Sequence, residues 1–213
     1  MKTPVAAIRG YLETLLAHPE LSKEKRTEFL RNSYAQSERL RRLLNDVSTV
    51  VRMDEGSAQI RKEPTLLNEF IEEIDTEMEL RPTERQLRVH CDFPPHVEIE
   101  GNPSLIGSIF RNLADNASAY SGGSDIYIRL LEESEDEYRI SFADNGVGVG
   151  EEHLPHLFER FYRVDKGRSR KMGGTGLGLA IVKHAVLFHG GTISVHNRKE
   201  GGLEFIFTLK KHA

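Results

Sequence analysis

Residues 4–53 carry apolar side chains three and four positions apart, the repeat of an amphipathic helix rather than of a strand. Val5, Ile8, Leu12 and Leu15 form one stripe, and Leu30, Tyr34, Ser37, Leu40, Leu44, Val47 and Val51 a second. Between them lies His18-Pro19-Glu20-Leu21-Ser22, where Pro19 stops the first helix and Ser22 can cap the next, so the two helices run antiparallel. A hairpin this thin cannot bury its stripe alone, and a second copy packing against it as a four-helix bundle is the physical expectation. Packing on the C-terminal part of its own chain is the alternative.

After Met53-Asp54-Glu55-Gly56 the pattern changes to short elements of mixed period. Strands are predicted at 57–63, 87–92, 97–100, 125–131, 137–143, 192–197 and 203–209, and helices at 66–80, 103–120 and 177–189. The turns fall at the acidic run Glu132-Glu133-Ser134-Glu135-Asp136 and at Glu200-Gly201-Gly202. The expected class is α+β, a helical hairpin over residues 1–55 followed by an α/β two-layer sandwich over 56–213. There is no internal repeat and no low-complexity segment.

Composition narrows the function classes. With 33 acidic against 29 basic residues and a net charge of −4, the chain has no general attraction for nucleic acid or anionic lipid. Cys91 is the one cysteine, so no internal disulfide forms and a cytosolic setting is the simplest reading. No apolar run approaches the roughly 18 residues that a membrane span needs. His153 and His156 have chelating spacing, but His90, His96, His184, His189, His196 and His212 are scattered, and no zinc site is expected.

Four segments of the second domain carry chemistry. In Asn112-Leu113-Ala114-Asp115-Asn116, a spacing of four puts both amides on one helix face, and neutral amide oxygens suit Mg²⁺, which takes few protein ligands. An Asn pair can equally be a solvated or capping feature. In Asp144-Asn145-Gly146-Val147-Gly148 the glycines let backbone approach a planar ligand, and a carboxylate at the strand end can accept from an exocyclic amine. An ordinary Asx turn is the bland reading. Gly173-Gly174-Thr175-Gly176-Leu177-Gly178-Leu179 stands before a helix, where unencumbered N–H groups make a polyphosphate site. The loop before it carries Lys166, Arg168, Arg170 and Lys171, which could cover that phosphate or be merely solvated. His189-Gly190-Gly191-Thr192-Ile193 reads as a glycine C-cap returning to a strand, a structural feature.

In this order and at these separations the four segments resemble the N box and the three glycine boxes of the sensor histidine kinases, whose Bergerat-type ATP fold is shared with gyrase, heat-shock chaperone and mismatch-repair ATPases. Phe158-Glu159-Arg160-Phe161-Tyr162-Arg163 is similar to the intervening F box, whose aromatics pack at the base of the ATP lid. Lys2-Thr3-Pro4-Val5-Ala6-Ala7-Ile8-Arg9-Gly10 resembles the tail of the H box, normally His-Glu-Leu-Lys-Thr-Pro. That second match separates a histidine kinase from the other ATPases of the fold.

The resemblance implies ATP and Mg²⁺ as ligands. Asn116 would hold Mg²⁺, Asn112 a water or phosphate in the catalytic machinery, and Asp144 the adenine amine. Gly146 and Gly148 would shape the base pocket, while Gly174, Gly176, Leu177 and Gly178 present backbone to phosphate, with Thr175 and the lid cation Lys171 completing the set. The implied reaction moves the γ-phosphoryl to a histidine Nε2 and then to an aspartate on a response-regulator receiver domain. The implied partners are that regulator and a second copy through the hairpin, with a membrane link only through a region preceding this chain, as in the cytoplasmic portion of an inner-membrane sensor.

Three departures accompany the match. Aligned on Thr3-Pro4, the H box puts Met1 where Leu is usual and the phosphoacceptor histidine before the first residue, which reads as truncation; His18 is too distant to replace it. Ala119 stands where the family often has a phosphate-contacting Lys, and Leu203 where Thr is common. Thr3 occupies the place of the residue that orients a dephosphorylating water, or else simply caps the first helix. The competing reading is a non-catalytic nucleotide-binding dimeric scaffold. An ATPase of the same fold that drives conformational work is a third, and the N-terminal hairpin speaks against it.

Overall fold

A computed structural model describes residues 4–54, 61–82, 86–164 and 174–212, with backbone alone at 42, 45 and 49–54. Two compact units are present, Met1–Thr49 and Val50–Ala213. Both helices of the hairpin form where the periodicity puts them, α1 at Pro4–Ala17 and α2 at Lys23–Asp54. Ser22 opens α2: its Oγ accepts from the Lys25 amide at 3.4 Å and its carbonyl from Arg26 N at 3.0 Å. Tyr11 and Phe29 pack ring on ring, 5.8 Å between centroids, and Ser33 is buried one turn further along α2. Of the apolar stripes, Ile8, Leu15 and Leu40 are half-buried. Leu30, Tyr34, Leu44 and Val47 are exposed within the single chain, as are Val5, Leu12 and Leu16 of α1, and α1 buries no residue. No helix among the described residues is long and apolar enough to cross a membrane.

The second unit is α+β, as expected. Strand β1 (Glu63–Leu66) pairs antiparallel with β3 (Glu98–Gly101), and α3 (Leu67–Glu79) follows β1 directly. The main sheet has five strands in the order β2-β4-β5-β7-β6: β2 (Arg88–Asp92), β4 (Asp125–Glu133), β5 (Glu137–Asp144), β7 (Leu203–Lys210) and β6 (Ile193–Asn197). Among the described strands only the β2/β4 pair is parallel, with Arg88 opposite Asp125. Helix α4 (Pro103–Asn116) starts at Asn102, whose side chain accepts from Leu105 N at 3.0 Å while Pro103 takes the first turn. Helix α5 (Gly178–Phe188) ends in a Schellman cap, Gly190 at φ 70° donating to Leu187 O and Gly191 to Val186 O.

Strict alternation builds the core. In β7, Leu203, Phe205, Phe207 and Leu209 are buried while their neighbours face away, and Ile126, Ile128, Ile140 and Phe142 line the same layer. Against them pack Leu67, Ile71, Ile74 and Met78 of α3, six residues of α4, and Val182, Ala185 and Val186 of α5. Phe110 meets Phe207 edge-on at 6.1 Å. Each fully buried aromatic or aliphatic side chain stabilises the unit by roughly 1.5–3 kcal/mol, so this layer fixes what lies at its rim.

Apart from shifts of one or two residues, among them β4 running on to Glu133, two boundaries and one element differ from expectation. Of the strand predicted at 57–63, residues 57–60 lie outside the described set and 61–62 are not strand; β1 begins at Glu63, where its partner Gly101 begins to pair. The helix predicted to Tyr120 is α-helical only to Asn116 and continues as a π turn, Ala117–Ser121, stopped by Gly122 at φ 68°. A 3-10 turn at Glu151–His156 was not predicted.

Candidate functional site

The π turn is where the site starts, because it swings the chain from α4 towards the strand ends. Ser121 carries the link: its carbonyl accepts from Val147 N at 2.9 Å, and its Oγ from Gly123 N at 3.0 Å. A Cβ on Gly146 would stand 2.2 Å from that same carbonyl oxygen, so only glycine lets the loop come this close. Insertions of this kind recur at functional sites.

Asp144 ends β5 beneath this contact and is 5% exposed. Its Oδ1 accepts from Gly146 N at 2.8 Å. Burial raises its pKa above the ordinary carboxylate value, against the opposing pull of the Gly146 and Leu203 amides and of the Arg198 guanidinium. Arg198 also donates from Nη1 to the Asp144 carbonyl at 2.9 Å, and a Cβ on Gly202 would meet that carbonyl at 2.0 Å. On the far side of the loop, Asn197 accepts from Val149 N at 3.0 Å and donates to Val149 O at 2.8 Å, gripping the residue after Gly148, which sits at φ 68°.

The glycine-rich segment closes on α4 from the opposite side. Gly178 opens α5, and a Cβ there would lie 2.8 Å from Asn112 Oδ1. Asn112 itself donates to Ser108 O at 2.7 Å, which turns its oxygen towards the helix start. Gly174 lies against the Tyr120 hydroxyl, 2.0 Å from where its Cβ would be, and its carbonyl accepts from Arg163 Nη2 at 2.7 Å. Thr175 Oγ1 accepts from Leu177 N at 3.2 Å, and the Leu177 side chain is buried on Ile181. Gly176, at φ 76°, accepts from Phe161 N at 2.8 Å; Phe161 is the one described non-glycine residue at positive φ, 66°, and is exposed. The first-turn N–H groups of a helix have no intrahelical acceptor, so α5 points donors and a positive dipole end at the space beside Asn112.

The expected site residues therefore fall into one neighbourhood by contact: Asn112 with Gly178, the turn after Asn116 with Gly146, and Tyr120 with Gly174. Asn116 is half-buried at the end of α4, whereas Asp115 beside it is exposed and paired with Arg81. Ala119 lies in the π turn. Phe158 packs edge-on against Phe205 at 6.3 Å, and Tyr162 bonds His153 Nδ1 at 2.8 Å. Thr3, Lys166, Arg168, Arg170, Lys171 and Gly173 lie outside the described residues.

Sequence reasoning missed Tyr120, Ser121, Asn197 and Arg198, none of which has a local pattern. It also missed Asp125, a buried carboxylate at the start of β4. The Ser124 hydroxyl, His90 and Arg88 together hold that carboxyl well below the usual carboxylate range, outweighing the cost of burial.

Residues 101–213 match the model of the histidine kinase-, DNA gyrase B- and HSP90-like ATPases, and residues 1–56 that of the His Kinase A (phospho-acceptor) domain. The phosphate regulon sensor protein PhoR of Pseudomonas aeruginosa is 33% identical over 206 residues, 96% of this chain and 46% of that protein. The sensor protein kinase WalK of Staphylococcus aureus is 34% identical over 213 residues, 98% of this chain and 51% of that protein. The chain thus spans about half the length of these curated relatives. The solved mycobacterial sensor histidine kinase MprB superposes with a TM-score of 0.59 at 29% identity, covering 70% of this chain and 99% of that one.

Proposed function

The chain belongs to the sensor histidine kinases, with their phospho-acceptor hairpin and ATP-binding domains, and on that premise we propose that it binds Mg²⁺-ATP beside α4 and α5 and phosphorylates a histidine. Asp144 accepts from the adenine amine, Gly146 and Gly148 bring backbone to the base, and the segment Gly174, Thr175, Gly176, Leu177 and Gly178 presents N–H groups to the phosphates. Asn112 orients a phosphate oxygen or water. The observation that carries this reading is the fit of Gly178 against Asn112: a side chain at Gly178 would run into the Asn112 amide and fill the space where the α5 donors point.

Asn116 suits the metal. It is a half-buried amide oxygen source with a carboxylate, Asp115, already engaged elsewhere, which matches an ion that keeps its waters and phosphate ligands. When bound there, Mg²⁺ would neutralise phosphate charge. The protein's own part is positioning and exclusion of water. In the transfer, a neutral imidazole nitrogen forms the new N–P bond, the bond from the terminal phosphorus to the bridging oxygen breaks, and ADP leaves with that electron pair. The phosphoryl group then passes to a receiver-domain aspartate of a response regulator. The exposed stripe Leu30, Tyr34, Leu44 and Val47 is the surface through which two copies would form a four-helix bundle. The Lys171 lid contact, the Thr3 phosphatase role and attachment to a membrane through a preceding region belong to the same proposal.

The test is calorimetric titration with a non-hydrolysable ATP analogue, with and without Mg²⁺, on the wild type and Asp144→Ala, followed by transfer from ATP to a separate hairpin protein bearing a complete H box. Loss of a charged hydrogen-bond acceptor should weaken binding at least about tenfold. Equal affinity in both proteins would overturn the adenine assignment. Binding without transfer would favour the scaffold.

A further inference from the structure

Asn145 separates the adenine-reading carboxylate from the first glycine of its loop, and its side chain turns back onto the beginning of β4. Its Oδ1 accepts from Ser124 N and from Asp125 N, both at 2.9 Å. Its Nδ2 donates to Asp125 Oδ2 at 2.9 Å and to Ser124 Oγ at 3.3 Å. An amide side chain can make four hydrogen bonds, and here all four are made. The backbone adds a fifth, Asn145 N to Asp125 O at 3.2 Å. The fit is close: a Cβ on Gly123 would stand 2.4 Å from Asn145 Oδ1 and 2.9 Å from Gly146 N.

Asp125 is the hub of this arrangement. Besides Asn145, its carboxylate accepts from Arg88 Nε at 2.9 Å and Arg88 Nη2 at 3.0 Å, from Ser124 Oγ at 2.5 Å, and pairs with His90 Nε2 at 2.7 Å. Arg88 and His90 belong to β2, which no other strand among the described residues flanks on its outer side, so the carboxylate ties the rim strand, the start of β4 and the loop after β5 into one unit.

We propose that Asp125 and Asn145 are positioning residues that aim the Asp144 carboxylate at the adenine amine. The reasoning is geometric. Asp144 Oδ1 takes its direction from the Gly146 amide, and that amide is placed from one side by Ser121 O on Val147 N and from the other by the four side-chain bonds of Asn145. With the Asn145 side chain released, the Gly146 amide loses its closest support: the loop is then held by the Ser121 contact, the longer Asn145 N to Asp125 O bond and the Asn197 grip on Val149, and the carboxylate can shift towards the Leu203 amide on its other side and away from the amine. A displacement of about an ångström is enough to lose a directional contact of this kind. This inference rests on the reading of Asp144 as the adenine acceptor.

The chemistry of the pair supplies its own test. Asn145→Asp sets a carboxylate against Asp125, and Asp125→Asn removes one acceptor. The exchanged double variant, Asp125→Asn with Asn145→Asp, can restore the amide–carboxylate contact with donor and acceptor reversed, while the amide oxygen that the exchange places on β4 still accepts from His90. Calorimetric titration with non-hydrolysable ATP and GTP analogues should show Asn145→Asp weakening the ATP analogue about tenfold or more and lowering its preference over the GTP analogue. The double variant should recover most of both, a coupling that neighbouring residues show and independent ones do not. A purely structural defect lowers the melting temperature and leaves the adenine preference of the folded protein intact; that outcome, or a double variant as weak as the two singles combined, overturns the proposal. Asn145→Ala, which introduces no charge, replaces Asn145→Asp if the latter does not fold, with the same expected loss of preference. If the wild type binds neither analogue, the site reading itself falls, which is distinct from a wild type that binds with unaffected variants.

Discussion

Replacing Gly146 by alanine should damage the protein in proportion to one contact. The added Cβ would lie 2.2 Å from Ser121 O and 2.6 Å from both Ser121 C and Cβ, and these are backbone and near-backbone atoms that cannot rotate aside. Either the loop or the π turn must shift. Forcing a methyl group into such a packed place costs about 1–3 kcal/mol, and stretching the Val147 N to Ser121 O bond of 2.9 Å adds about 1 kcal/mol. For a unit of this size each kcal/mol lowers the melting temperature by roughly 2–4 °C, so the expected drop is about 4–16 °C.

Gly122→Ala is the matched control. Gly122 sits at φ 68° with nothing within 4 Å of an added Cβ, so its replacement meets only the left-handed backbone cost of about 1–2 kcal/mol. Thermal unfolding followed by circular dichroism, with and without a saturating ATP analogue, compares the two. Gly146→Ala should melt lower and should also lose the upward shift that a ligand of the folded state produces. Gly122→Ala should keep that shift. If Gly146→Ala melts no lower than Gly122→Ala, the close approach of the loop to Ser121 is not what requires glycine there, and the argument fails.

Two further outcomes can be measured independently. His189 is 2% exposed, donates from Nδ1 to Ala185 O at 2.7 Å and accepts at Nε2 from Asn102 N at 3.0 Å, so the neutral ring is the form that fits. Burial lowers its folded pKa below 6.5, the unfolded chain therefore binds the extra proton, and the stability it contributes is complete above about pH 6.5 and falls as the pH drops below it. Urea unfolding at about pH 7.5 and pH 5.5 should show a larger loss on acidification in the wild type than in His189→Gln, and equal losses would count against this histidine. Asn197→Ala leaves Val149 N and O without their side-chain partners, costing about 2 kcal/mol. It should weaken nucleotide binding by loosening the loop at Gly148, and wild-type affinity would show that the end of β6 plays no part in the site.

What could be read from the sequence is whatever repeats or punctuates locally. The helical stripes of α1 and α2, the alternation of Leu203, Phe205, Phe207 and Leu209, and the glycines at 146, 148, 174, 176 and 178 each advertise themselves within a few residues. The end of α4 did not. Ala-Ser-Ala-Tyr-Ser is compatible with an α-helix, and what diverts it is the pull of Val147 N on Ser121 O together with Gly122, a contact across 26 positions whose two halves carry no mutual signal. Asn145 was visible only as one letter of a glycine motif. Its partner Asp125 was hidden for a physical reason: a carboxylate at a strand start normally faces water, and besides Ser124 and Asn145 the side chains that hold this one, Arg88 and His90, arrive from β2, more than thirty positions earlier, once the parallel register sets Arg88 opposite Asp125. The glycines mark where backbone must approach, and in the proposed site it is main-chain groups that meet the nucleotide there. The residues that hold the backbone in place are ordinary polar side chains, distributed by the sheet register rather than by proximity in the chain. A site of this kind is therefore legible in outline from its glycines and illegible in its supports, and the supports are where substitutions with unexpected effects on nucleotide binding should concentrate.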